Sequence, residues 1–219
     1  MGAPAAGGAA VIAALDLGDG LAQIATALRI PVLIAAVVVL VLCAIELGRF
    51  LAEYVRRWRN RDFSLRELTE RAIADPQHAS HYSQYAPIPI AAAAVQEVAI
   101  ARGDTHPRAV EHALARYELA VQRRLDRTRL LVRAGPAIGL MGTLIPLAPG
   151  LAALADGKVA QLAENLRDAF GATVVGLLVG TVAFGLTLAR TRTYTEDLAA
   201  LEQGAEPAAA PVPERSAVL

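Results

Sequence analysis

Three stretches of this chain run without a charged side chain for long enough to cross a bilayer, and they restrict its fold more than any other feature. They extend from Ile30 to Ile45 between Arg29 and Glu46, from Ala134 to Ala155 between Arg133 and Asp156, and from Ala169 to Ala189 between Asp168 and Arg190. As helices the last two reach roughly 30 Å, the thickness of a hydrocarbon core. The first is shorter, yet Arg29 can snorkel outward and Glu46 can reach the headgroups, so it spans as well. The expectation is an all-α membrane protein with three transmembrane helices and long helical extensions. A hydrophobic content of 55% agrees with it.

Acidic and basic residues balance at 21 each, which gives no argument for nucleic acid. Their placement predicts the topology. Fifteen of the 21 basic residues lie between positions 48 and 133, clustered as RRWRNR and RRLDRTRLLVR, and an excess of Lys and Arg marks cytoplasmic segments. Arg190 and Arg192 put the C-terminus on that side too, giving N-out, C-in. The divisions that follow are an outer N-terminal segment 1–28, a transmembrane helix 29–48, a cytoplasmic helical region 49–133, a transmembrane helix 134–155, a short outer loop 156–168, a transmembrane helix 169–189, a cytoplasmic helix end 190–203 and a disordered tail 204–219. The Arg clusters also suit anionic membrane lipids.

Residues 1–28 lack the basic start of a signal peptide and carry Asp16 and Asp19, so they read as an outer segment with an amphipathic helix from about Val11. Gly2 has no Ser or Thr at position six, which argues against myristoylation. The tail is rich in Pro and Ala and has no periodicity. In the cytoplasmic region, Phe50, Tyr54, Trp58, Phe63, Leu65, Leu68 and Ile73 recur at broadly helical spacings up to Pro76. A Pro-containing connector follows, then a helix near Ile90 to Arg102. From Pro107 a long helix runs into the membrane without a breaker until Gly135 and Pro136. His78 and His81 have no Cys or carboxylate at ligand spacing, so no metal is expected, and no cofactor. The single Cys43 reads as a small buried hydrophobe.

Neither of the last two spans contains an ionisable side chain. A self-sufficient proton carrier needs one, so if this chain handles ions another chain must supply the carrier. Glu46, at the end of the first span, is the one candidate here, either in an ion pathway or as an interfacial charge. The spans hold small residues instead. Gly135, Gly139 and Thr143 recur every four residues, as do Ala172, Gly176 and Gly180, with Gly142 beside the first row; such rows let helices approach closely, within one chain or between chains. Thr143 and Thr173, with Thr181 and Thr187 further along, are the polar side chains; a membrane Thr commonly bonds a carbonyl of its own helix. Pro146 and Pro149 remove backbone donors for the carbonyls of Gly142 and Ile145, which predicts a kinked or loosened outer half of the second span.

The stretches GLMGT at Gly139 to Thr143 and AFGATVVGL at Ala169 to Leu177 resemble the paired signature of the MotA/TolQ/ExbB proton channel family. The layout from Ile30 to Glu202 is similar as well, and three spans look more like the ExbB and TolQ branch than four-span MotA. The resemblance implies a ring, a homopentamer, in the cytoplasmic membrane of a bacterium or archaeon. Such a ring encloses two single-span partners of the ExbD/TolR/MotB type, whose transmembrane Asp passes the ion along ring threonines. Carried over by motif, these are Thr143 and Thr173, and the subunit belongs to an ion-driven motor rather than an enzyme. IPLAPG departs from the family pattern, placing Pro146 and Pro149 where relatives have a Gly-containing stretch and an aromatic. The residues also admit another reading, a membrane scaffold whose glycine rows only hold helices together; it predicts that every Thr tolerates substitution.

Overall fold

The computed structural model describes residues 23–24, 27–60, 63–103 and 108–206, which form helices and short turns. In order these are α1 (Arg29–Arg59), α2 (Leu65–Ala74), a 3-10 turn (Pro76–His78), α3 (Ala79–Ser83), α4 (Pro89–Arg102), α5 (Ala109–Ala155) and α6 (Val159–Ala205). The amphipathic segment expected from Val11 lies outside the described residues, as does the tail expected over 204–219 from residue 207 on; Gly204 and Ala205 instead end α6. Three helices, α1, α5 and α6, are long and apolar enough to cross a membrane. Only 28%, 28% and 33% of their most apolar windows are buried by the chain itself. Lipid or other chains must cover the remainder.

Local chemistry sets the helix ends. Ser64 caps α2, its hydroxyl accepting from the Glu67 amide at 3.1 Å. Pro76 disfavours helical backbone at Asp75, whose φ of −134° ends α2. Pro89 opens α4, where its missing amide would have had no partner. α5 continues through Pro136, Pro146 and Pro149 as one helix of 47 residues.

The connection between α5 and α6 differs from the expected loop at 156–168. It consists of Asp156, Gly157 and Lys158 alone. Gly157 takes a φ of +76°, and the Lys158 and Gly157 amides donate to Ala153 O at 2.8 Å and Leu154 O at 2.9 Å. This paired 6→1 and 5→2 closure satisfies the last carbonyls of α5 and needs a left-handed residue, which glycine supplies without strain. The charges of 159–168 thus lie on the first turns of α6.

The chain divides into two compact units, one of residues up to Gly48 with Arg127–Thr187, the other of Arg49–Asp126 with the residues from Leu188 on. The first is built on Val39, Cys43, Leu131, Val179 and Ala183. Arg29 and Asp168 pair within it at 3.2 Å, so the N-terminal end of α1 lies beside the third turn of α6. The second packs α2 to α4 against parts of α5 and α6 around Leu65, Ala72, Ile88, Val95, Tyr117, Tyr194 and Leu201. In that unit a Cβ on Gly204 would lie 2.8 Å from both Arg66 O and Thr69 Cβ.

Candidate functional site

The two rows of small residues meet each other. A Cβ on Gly176 would fall 2.5 Å from Gly135 O and 2.7 Å from Gly139 Cα, and one on Gly135 would fall 2.7 Å from Gly176 O. At Gly180 it would meet the Pro136 ring at 2.8 Å, and at Gly142 the Ala172 Cβ at 2.5 Å. At Gly135, Gly139 and Gly176, therefore, α5 lies against α6 with backbone touching backbone, the arrangement small residues permit in lipid.

Thr173 lies at this contact layer, and Thr143 follows it on α5, one turn beyond Gly139. Thr173 is half-buried, and its hydroxyl donates at 3.4 Å to Ala169 O on its own helix and at 3.4 Å to Gly139 O across the interface. Thr143, also half-buried, follows Gly139 by one turn and donates to Leu140 O at 2.7 Å. Both hydroxyls retain acceptor lone pairs, so each can take a proton or hydrogen bond from an incoming group. Thr181 is exposed, and Thr187 donates to Ala183 O at 2.7 Å, the local bond expected of a membrane threonine. Glu46 is buried. Cys43 is buried with its thiol 3.9 Å from Val179 O. In the connector His78 pairs with Asp75 at 2.8 Å, a carboxylate three residues away that the ligand-spacing argument passed over, and His81 contacts Gln84 at 3.0 Å.

The second unit holds a polar cluster that sequence reasoning missed. Arg57 grips Asp197 through two bonds of 2.9 and 2.6 Å and reaches Glu53 at 3.4 Å. Glu53 also accepts from Arg124 at 3.0 Å and from the Tyr194 hydroxyl at 3.1 Å, while Tyr117 donates to Asp197 at 3.4 Å. Three long helices thus share one network, with Glu53 and Asp197 only 6% and 8% exposed at their side chains. The arginines counted above as topology signals include two that are structural. The only local signal was the four-residue spacing of Glu53 and Arg57.

Burial works against the charge on Arg57, but its bonds to Asp197 and the charges of Asp197 and Glu53 outweigh it, so its pKa lies above the ordinary value. Burial, and then the neighbouring Glu53 charge, push the Tyr194 phenol up to about 12; burial and Asp197 raise Tyr117 further. A raised phenol pKa means that the folded state holds its proton more tightly than the unfolded chain, whose tyrosines titrate near 10. The stability Tyr194 contributes is therefore complete below pH 10 and is lost as pH rises from 10 towards 12, by about 2–3 kcal/mol. Unfolding followed with tyrosinate absorbance should show a flat profile at neutral pH and a decline above pH 10. Tyr194→Phe should lessen that decline; an unchanged alkaline slope would remove Tyr194 from the account.

The sequence profile of the MotA/TolQ/ExbB proton channel family matches residues 84–203, which include all of the α5 and α6 spans. No curated protein matches the chain.

Proposed function

Because the chain belongs to the MotA/TolQ/ExbB proton channel family, a multi-pass membrane class, we propose that it is a ring-forming channel subunit of an ion-driven membrane motor. In this reading five copies enclose a dimer of single-span partners of the ExbD/TolR/MotB type in a bacterial or archaeal cytoplasmic membrane, N-terminus out and C-terminus in. The partner's transmembrane Asp carries the ion, and Thr143 and Thr173 receive it on the ring. Ion flow then drives movement of ring and partner relative to each other.

One observation carries the proposal: the α5 and α6 spans contain no ionisable side chain, yet the Thr173 hydroxyl reaches Gly139 O where their backbones touch, and Thr143 carries a second hydroxyl one turn further along α5. A hydroxyl donates and accepts at once, so it can relay a proton or help coordinate a cation delivered by a carboxylate. It cannot supply the charge. A partner acid completes the set, which is why the spans lack one.

Thr173→Val keeps the shape and deletes the hydroxyl. Losing one hydrogen bond to a charged group, about 1.5–3 kcal/mol, should slow ion flux by roughly one to two orders of magnitude in vesicles holding this chain with its single-span partner. Flux equal to wild type, with Thr143→Val equally silent, would leave the glycine rows with packing alone and favour the scaffold reading.

A further inference from the structure

The second unit has an apolar groove of about 270 Å³ between α4 and α5. Pro89, Ile90, Ala93 and Ala94 form one wall, Tyr117 and Ala120 the other. Glu97 and Arg116, paired across the two helices at 2.9 Å, stand at one end. Along α4 the groove runs from Ile90 to Glu97, about 10 Å at 1.5 Å per residue. A concave apolar surface with a few polar groups at its edge is the form of a binding site.

The chain leaves α6 beside this groove. Ala205, the last residue of α6, packs on Val98 of α4 and Ala113 of α5, so Glu97 is the next residue on one helix and Arg116 lies one turn on along the other. Residues 207–219 read PAAAPVPERSAVL. In polyproline II, residues 206–210 cover roughly 16 Å at ~3.1 Å per residue, enough to pass the Glu97–Arg116 pair. Pro211, Val212 and Pro213 then make one turn of about 9 Å, which matches the length of the groove. An apolar cavity of ~150 Å³ holds a benzene ring, so the volume here takes two proline rings. Arg123, exposed one turn beyond Ala120, stands where Glu214 would follow.

We infer that the groove between α4 and α5 is the seat of the chain's own Pro211–Pro213 segment. The two proline rings lie over Ile90, Ala93 and Tyr117, since proline-rich segments dock in grooves that contain an aromatic, at low entropic cost because polyproline II is preformed. Glu214 pairs with Arg123. The short tether keeps the segment at millimolar effective concentration, so a weak contact suffices. The seat fastens the end of α6 to α4 and α5, and it depends neither on ring assembly nor on the threonines.

Cys43→Ala removes the one thiol of the chain, and Ala93→Cys puts a new one on the exposed wall of the groove. Its alkylation by a water-soluble maleimide is timed for the full-length protein in detergent and for the same protein ending at Glu206. At ~1 mM effective concentration a contact of ~0.1 mM strength is made about nine-tenths of the time, so the full chain should react roughly tenfold more slowly. Val212→Asp should restore most of the rate. Equal rates with and without residues 207–219 overturn the inference. In a second measurement Ala93→Cys with Val212→Cys should oxidise to a disulfide within one chain, a bond that needs Cα atoms ~4.4–6.8 Å apart. Gln122→Cys with Val212→Cys should not, because Gln122 is exposed about half a turn round α5 from Ala120. Equal yields from the two pairs, or a disulfide that joins two chains, overturn the seat within one chain.

Discussion

Asp197→Ala should destabilise the second unit by about 3–5 kcal/mol, because it strands a partly buried guanidinium whose two best bonds end on that carboxylate. Arg57 would retain only Glu53, at 3.4 Å, and Glu53 is already shared with Arg124 and Tyr194. Thermal unfolding of the purified protein measures the loss. Asp197→Asn, which keeps an acceptor oxygen while removing the charge, should cost less. The double change Asp197→Leu with Arg57→Met should recover much of the stability, since replacing both members of a buried pair with apolar groups is often neutral. A single Asp197→Ala variant as stable as wild type would mean that water replaces the carboxylate and that the network holds nothing together.

Gly176→Ala should cost about 1–3 kcal/mol, and Gly176→Val more, because the added Cβ meets backbone and no flexible side chain can move aside. The obstruction comes from Gly135 O, Gly139 Cα and Gly139 N, all within 2.9 Å. Gly171 and Gly185 supply the control. A Cβ at either meets nothing within 4 Å in this chain, so alanine there should gain up to about 1 kcal/mol of helix propensity. The measurement is the unfolding midpoint of the dispersed subunit in detergent. If Gly176→Ala were as stable as Gly171→Ala, the contact of α5 with α6 would not be the one described.

The spans were legible because the absence of charge over 16 to 22 residues is a local property, and no distant residue can reverse it. The glycine rows were legible as spacing but not as a pair. Four-residue periodicity names a face, while what touches that face depends on a second helix some forty residues away, so packing within the chain and between chains looked alike. For Gly135, Gly139 and Gly176 the contact lies within the chain. The 156–168 segment misled for another reason. Asp156, Lys158, Glu164, Arg167 and Asp168 report contact with water, and an exposed helix satisfies that as well as a loop does; Gly157 alone marked the true turn. The Arg57–Asp197 pair, 140 residues apart in sequence, was invisible in the same way, and so two arginines were counted only as topology signals.

A helix contact made of side chains has alternatives, since rotamers can be exchanged and the pair can settle into a second packing. The crossing of α5 over α6 at Gly135, Gly139 and Gly176 has none to exchange. Main-chain atoms meet main-chain atoms, and turning either helix about its axis would drive Ile138 or Val179 into the gap left for hydrogen. The crossing therefore holds each helix to one face, and it works as a rivet against rotation rather than as a switch. In the proposed motor, a stroke that turns these helices has to be sought where side chains still separate them, or between one copy and the next.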